Sequence, residues 1–150
     1  MKNYNVYVAG PLFSLAERDF NNSLVKALGK KVPEIAFILP QIYAKNVSGQ
    51  NDFIQNIFHY CIESIDKADV LLCILDGPDV DSGTCIEMGY AYARNKTIIG
   101  VRTDSRDSED RGVNLMVSNV CHVMIWLRGT DLRVKLVDEI ASALKKAISK

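Results

Sequence analysis

Apolar and polar residues alternate in blocks along the chain, and the period within each block predicts its structure. Val6-Tyr7-Val8-Ala9 is a continuous apolar run, the mark of a buried strand, and Gly10-Pro11 breaks it. Ser14-Leu15-Ala16-Glu17 has the form of a capping box and predicts a helix to about Lys30. Ile35 to Leu39 reads as a short strand stopped by Pro40, and the polar stretch from Tyr43 to Asn51 reads as a loop. From Asp52 to Lys67, apolar residues such as Phe53, Ile57, Cys61 and Ile65 recur at helical spacing. Val70 to Leu75 is the cleanest strand. An acidic loop follows it, then a helix to about Asn95. Thr97 to Val101 predicts a fourth strand, the charged segment Thr103 to Gly112 a mobile loop, and Val120 to Trp126 a fifth strand. Asp131 to Lys150 predicts a closing helix with Leu132, Leu136, Val137, Ile140, Leu144 and Ile148 on one face.

Five apolar strands separated by helices imply an α/β fold, a flavodoxin-like or Rossmann-like parallel sheet with helices on both faces. The simplest strand order is 2-1-3-4-5, which reverses direction between strands one and three. Ligands in such sheets bind outside the carboxyl ends of the strands at that reversal. The expected crevice therefore lies between the loop after strand one, Gly10 to Phe13, and the loop after strand three, Asp76 to Thr84. This places Tyr7, Gly10 and Phe13 across from Asp81 and Glu87. A chain of 150 residues fits one domain, taken here as residues 1–150.

Composition narrows the function. Lys and Arg number 18 and Asp and Glu 18, so no electrostatic hold on a nucleic-acid polymer or a membrane is expected. No apolar run approaches the roughly 18 residues that cross a bilayer, and the first residues lack a signal-peptide pattern. Cys61, Cys73, Cys85 and Cys121 are widely spaced in apolar contexts and read as reduced thiols of a cytoplasmic protein. His59 and His122 lack metal-site spacing, and neither a metal nor a cofactor is expected. There is no Gly-x-Gly-x-x-Gly after strand one, no Gly-Lys-Ser/Thr and no Gly-x-Ser-x-Gly. What remains is a group of carboxylates with an aromatic surround of Tyr7, Phe13 and Tyr90. A carboxylate nucleophile suits displacement at an anomeric carbon.

Four segments carry a resemblance: Tyr-Val-Ala-Gly-Pro-Leu-Phe at 7–13, Ala-Asp at 68–69, Asp-Ser-Gly-Thr-x-x-Glu-x-Gly-x-Ala at 81–91, and Asn-Leu-Met at 114–116. In order and spacing they resemble the nucleoside 2-deoxyribosyltransferases. That family moves a 2-deoxyribosyl group between bases, and a related branch hydrolyses the N-glycosidic bond of 2-deoxynucleoside 5-monophosphates. The resemblance implies that Glu87 attacks C1 of the sugar and that Asp81 binds the base and helps protonate it. It implies that Tyr7 holds the nucleophile, with Gly10, Phe13, Gln41 and Gly83 at the substrate. Asn114 would reach the sugar 5-hydroxyl, with Met116 nearby, across the interface of a homo-oligomer. The substrates would be 2-deoxynucleosides and free nucleobases. One departure stands out: Cys61 occupies a position where many members carry an acid or amide facing the base.

Plainer readings exist for each residue. Thr84 to Glu87 has the form of a capping box, Asp81 could be an N-cap, Tyr7 a strand aromatic, Phe13 a staple for the first helix, and Asn114 a turn residue. Two alternatives to the transferase stay open: the 5-monophosphate N-glycosidase, and a non-catalytic nucleoside- or nucleotide-binding module.

Overall fold

The computed structural model describes residues 4–107, 112–129 and 133–149. Five strands form its centre: β1 Tyr4–Ala9, β2 Ile35–Ile38, β3 Val70–Ile74, β4 Thr97–Arg102 and β5 Val123–Trp126. They lie in the order β2-β1-β3-β4-β5, and every pairing is parallel. This is the expected order, with its reversal between β1 and β3. Tyr7 pairs with Ile38 on one side and Leu71 on the other, so it sits mid-sheet beside the reversal.

The helices are α1 Leu15–Lys31, α2 Pro40–Val47, α3 Phe53–Lys67, α4 Ser82–Ala93, α5 Leu115–Asn119 and α6 Arg133–Ile148. Alternate side chains on a strand point to opposite faces, and the core divides accordingly. Val6 and Val8 face Leu24 and Leu28 of α1 and Ile140 and Leu144 of α6. Tyr7 and Ala9 face the other way, toward Ile65 of α3 and Met88 and Ala91 of α4. The orientation of Tyr7 thus follows from the register of β1, and it decides which helix the hydroxyl meets.

The capping box at Ser14 forms as expected: the Ser14 hydroxyl accepts from the Glu17 N–H, and Glu17 accepts from the Ser14 N–H at 2.7 Å. Two helices replace expected loops. Pro40 ends β2 and also starts α2, because a proline at the first helical position gives up no hydrogen bond and arrives with a helical φ. A parallel stack of Tyr43 on Tyr60, with centroids 3.9 Å apart, then pins α2 to α3. Asn114 starts the short helix α5 by accepting from the Met116 N–H at 2.8 Å. Residues 108–111 of the charged segment, and Leu132, expected on the closing helix, lie outside the described residues. Among the described residues no helix is long and apolar enough to cross a membrane.

Candidate active site

α4 begins where the acidic loop ends. Asp81 is its N-cap: Oδ2 accepts from the Thr84 N–H at 2.8 Å and from the Thr84 hydroxyl at 3.0 Å. Thr84 is therefore the third residue of the helix rather than its cap, and Glu87 falls in the second turn, not the first. That rotation carries Glu87 away from the helix start and toward the sheet. Its Oε1 accepts the Tyr7 hydroxyl at 2.5 Å, across 80 residues of chain. The capping-box reading of Glu87 is excluded by this contact. The N-cap reading of Asp81 is realised, through one of its two oxygens.

The pair is electrostatically loaded. Tyr7 has no exposed surface. Its phenol is raised far above its ordinary range, first by burial and then by the neighbouring Glu87 charge, so it stays protonated and acts as a donor. Glu87 is half-buried, and its carboxyl is pushed up to about 7. Burial is the largest cause, and the Asp81 charge adds to it; the hydrogen bond from Tyr7 pulls the other way. A carboxylate that loses its proton near neutrality and is held by a fixed donor is chemically poised.

The other expected residues divide into two groups. Gly10 closes β1 against β3, where a Cβ would lie 2.9 Å from the Ile74 Cβ, so glycine permits the close approach of the two strand ends. Gly83 sits in the first turn of α4, where a Cβ would come within 3.1 Å of Asp81 Oδ2. These two shape the surroundings of the pair. Phe13 stands 71% exposed at the start of α1, and Met116 67% exposed on α5, both on the outer surface of the subunit. Asn114 is occupied as a cap, although Val113 beside it is buried in the Tyr7 cluster. Gln41 serves α1: its amide donates to the Arg18 carbonyl and to Asn22 Oδ1, both at 3.0 Å, and accepts from Asn21 at 3.1 Å. Those two donor bonds engage its side-chain nitrogen wholly within the fold. Cys85 is pushed up by burial and by Asp79 and Asp81, which removes it as a nucleophile.

Sequence reasoning missed the residues that brace the loops. Asp76 accepts from the Thr103 N–H, the Thr103 hydroxyl and the Asp104 N–H, tying the loop after β3 to the loop after β4. Arg102 is buried at the end of β4 and donates to the carbonyls of Leu75 and Gly77. The available signal was positional: each follows or ends an adjacent strand of the sheet. A cavity of about 350 Å³ opens beside these loops, lined by Pro11, Ser14, Glu17, Asp76 and Arg106 among others. A cleft of about 450 Å³ between β5 and α6 includes Thr97, at the amino end of β4, and so lies at the opposite sheet edge. Among the described residues no three His, Cys, Asp or Glu side chains converge as metal ligands.

The strand order and the buried Tyr7–Glu87 contact define a flavodoxin-like α/β protein with a carboxylate site at the strand reversal. The nucleoside 2-deoxyribosyltransferase family model matches residues 6–116, and the chain belongs to that family. An uncharacterized protein of Ureaplasma parvum is 36% identical over 104 residues, a match spanning 65% of this chain and 65% of that one, just under two thirds of its length. A conserved protein of Enterococcus faecalis superposes with a TM-score of 0.71 at 26% identity, covering 93% of this chain and 98% of that one. A 2-deoxyribosyltransferase from Bacillus psychrosaccharolyticus superposes at 0.64 with 21% identity, covering 81% and 85%. At that identity the likeness is one of fold.

Proposed function

We propose that this protein transfers a 2-deoxyribosyl group between nucleobases, with Glu87 as the nucleophile. The observation that carries the reading is the 2.5 Å hydrogen bond from the Tyr7 hydroxyl to Glu87 Oε1. It fixes one carboxylate oxygen and leaves Oε2 to attack. A bond forms between Oε2 and C1 of the sugar as the C1–N bond to the base breaks. The base departs with that electron pair, and Asp81 binds it and passes a proton to the ring nitrogen. A ring nitrogen of a second base then attacks C1 as the C1–Oε2 bond breaks, its N–H proton passing to Asp81, and the carboxylate of Glu87 is released. Two displacements at one carbon retain configuration and give ping-pong kinetics.

Gly10, Phe13 and Gly83 border the base in this reading, and Gln41 reaches it only by giving up bonds to α1. Asn114 reaches the 5-hydroxyl of a neighbouring copy's substrate, with Met116 nearby. The outward exposure of Phe58 on α3, Ile86 on α4 and Met116 on α5 supports an assembly that covers them. The reactants are small nucleosides and bases of the cytoplasm.

The test is incubation with a 2-deoxynucleoside and a second free base, followed by chromatography. The expected result is a new nucleoside, absent with Glu87→Ala. Free deoxyribose without exchange would transfer the reading to hydrolysis, and no product from nucleoside or 5-monophosphate would reduce the protein to a binding module.

A further inference from the structure

The carboxyl end of β4 carries a buried charge that the chemistry above does not use. Arg102 is 1% exposed, and among the described residues no carboxylate pairs with it. Its guanidinium donates instead to three backbone carbonyls on two loops: Nη1 to Leu75, and Nη2 to Gly77 at 3.1 Å and to Arg106 at 3.4 Å. Gly112 closes over the same group, where a Cβ would lie 2.7 Å from Nη2 and 3.1 Å from Nε. Nε is buried with no hydrogen-bond partner. A charge buried on carbonyls alone is costly to hold, and a strand end needs no charge to form. Two carboxylates repeat the connection around it. Asp104 accepts from the Gly77 N–H at 3.1 Å, and Asp76 accepts from the N–H groups of Thr103 and Asp104 at 2.6 and 2.9 Å. The first loop runs on to Asp81, the cap of α4, and Gly112 leads to Asn114, the cap of α5. Val80 and Val113, which precede those caps, are both buried in the cluster around Tyr7.

We propose that Arg102 is a positioning residue that locks the loop carrying Asp81 to the segment carrying Asn114. One side chain then sets both the base-binding group of its own site and the sugar-binding group offered to the neighbouring copy. The inference rests on the roles of Asp81 and Asn114 in the reading above. Arginine suits this task for a geometric reason. Its planar fork presents Nη1 and Nη2 in fixed directions, so it spans the carbonyls of Leu75 and Gly77 while Nη2 still reaches Arg106. A lysine carries the same charge on one compact, rotatable nitrogen and cannot hold both loops in one register. The anchor matters most for Asn114, because α5 has only five residues, too few to fix its place by its own hydrogen bonds.

The experiment compares wild type and Arg102→Lys on two donors, a 2-deoxynucleoside and its 2,5-dideoxy analogue, which lacks only the 5-hydroxyl. The wild-type preference for the hydroxyl in kcat/KM should fall about five- to tenfold in Arg102→Lys, the worth of one hydrogen bond. A merely structural role would lower the folded fraction and slow both donors by the same factor. That result, or an unchanged preference, would overturn the proposal. A second measurement needs no turnover. In hydrogen exchange read by mass spectrometry, peptides covering 76–81 and 112–117 should both lose protection in Arg102→Lys, while those from β1 and α6 keep it. Loss in one peptide without the other, or in all alike, would refute the coupling. Should Arg102→Lys fail to fold, Thr103→Val carries the test. It removes the hydroxyl bond to Asp76 between the same loops and leaves the buried charge in place. It should lower the hydroxyl preference and loosen both peptides by a smaller factor, and no change in either would overturn the proposal. Should wild type turn over neither donor, or prefer neither, the reading of the site fails while the exchange data still decide whether Arg102 couples the two loops.

Discussion

Replacing Glu87 with glutamine should stabilise the protein, and by an amount that depends on pH in a defined direction. The carboxyl is raised from its ordinary value of 4.5 to about 7, mainly by burial. Below pH 4.5 it is protonated in both the folded and unfolded states, and it contributes nothing to the pH dependence. Between 4.5 and about 7 the unfolded chain ionises freely while the folded chain holds its proton, so the folded state binds more protons and stability falls as pH rises. Above about 7 the loss is complete. The difference in proton affinity corresponds to about 3 kcal/mol. Glutamine keeps the shape and a carbonyl acceptor for the Tyr7 hydroxyl but has no charge to bury. The variant should therefore unfold at nearly the same urea concentration as wild type at pH 4.5. By pH 8 it should be more stable by up to about 3 kcal/mol. Urea denaturation at half-unit steps, with the slope checked for two-state behaviour, measures this. A stability difference that stays flat across the range would refute the reasoning, because the carboxyl would then carry no strain for the protein to exploit.

Three further outcomes follow from the same geometry. Tyr7→Phe removes a hydrogen bond to a charged group, a loss of about 1.5–3 kcal/mol. It should lower kcat about 10- to 100-fold and move the acid limb of the rate profile upward; an unchanged limb would remove Tyr7 from the site. Asp81→Ala loses the cap of α4 at a cost of about 1 kcal/mol along with activity. Asp81→Asn should recover the stability in thermal denaturation without recovering the activity, and activity restored together with stability in Asp81→Asn would limit Asp81 to capping. Gln41→Ala leaves the buried Asn21 amide nitrogen with the Pro11 carbonyl but without its second acceptor and should destabilise by about 1 kcal/mol with little change in KM. A large rise in KM at unchanged stability would return Gln41 to the base pocket.

The order of the sheet was legible because each strand is an apolar run of its own, bounded by Gly, Pro or charged residues. The direction of Tyr7 was not: Val6, Tyr7 and Val8 are all apolar-tolerant, and a strand buried on both faces has no polar side to set its phase. Pro40 was ambiguous for a local reason, since the same residue ends a strand and starts a helix. At the head of α4 the sequence offers two possible caps, Asp81 and Thr84, and only the fold selects the first. That choice moves Glu87 from a helix start to the sheet; its contact with Tyr7 was expected only through the resemblance, because the spacing within 81–91 says nothing of a partner 80 residues away. Asn114 kept its place in the reading, but its helix α5 was invisible at five residues. Cys61 looked like one more apolar residue on a helical stripe, and its packing into the cluster around Tyr7 depends on how α3 meets elements distant in sequence.

The central claim is that Glu87 itself bonds to the sugar. The direct measurement is mass spectrometry of the protein quenched during incubation with a 2-deoxynucleoside and no acceptor base, followed by peptide mapping. A mass increase of one deoxyribosyl group on Glu87, absent in Glu87→Gln and discharged by adding a free base, is the expected result. Base exchange that proceeds with no adduct on Glu87, or with the adduct on another residue, would contradict it.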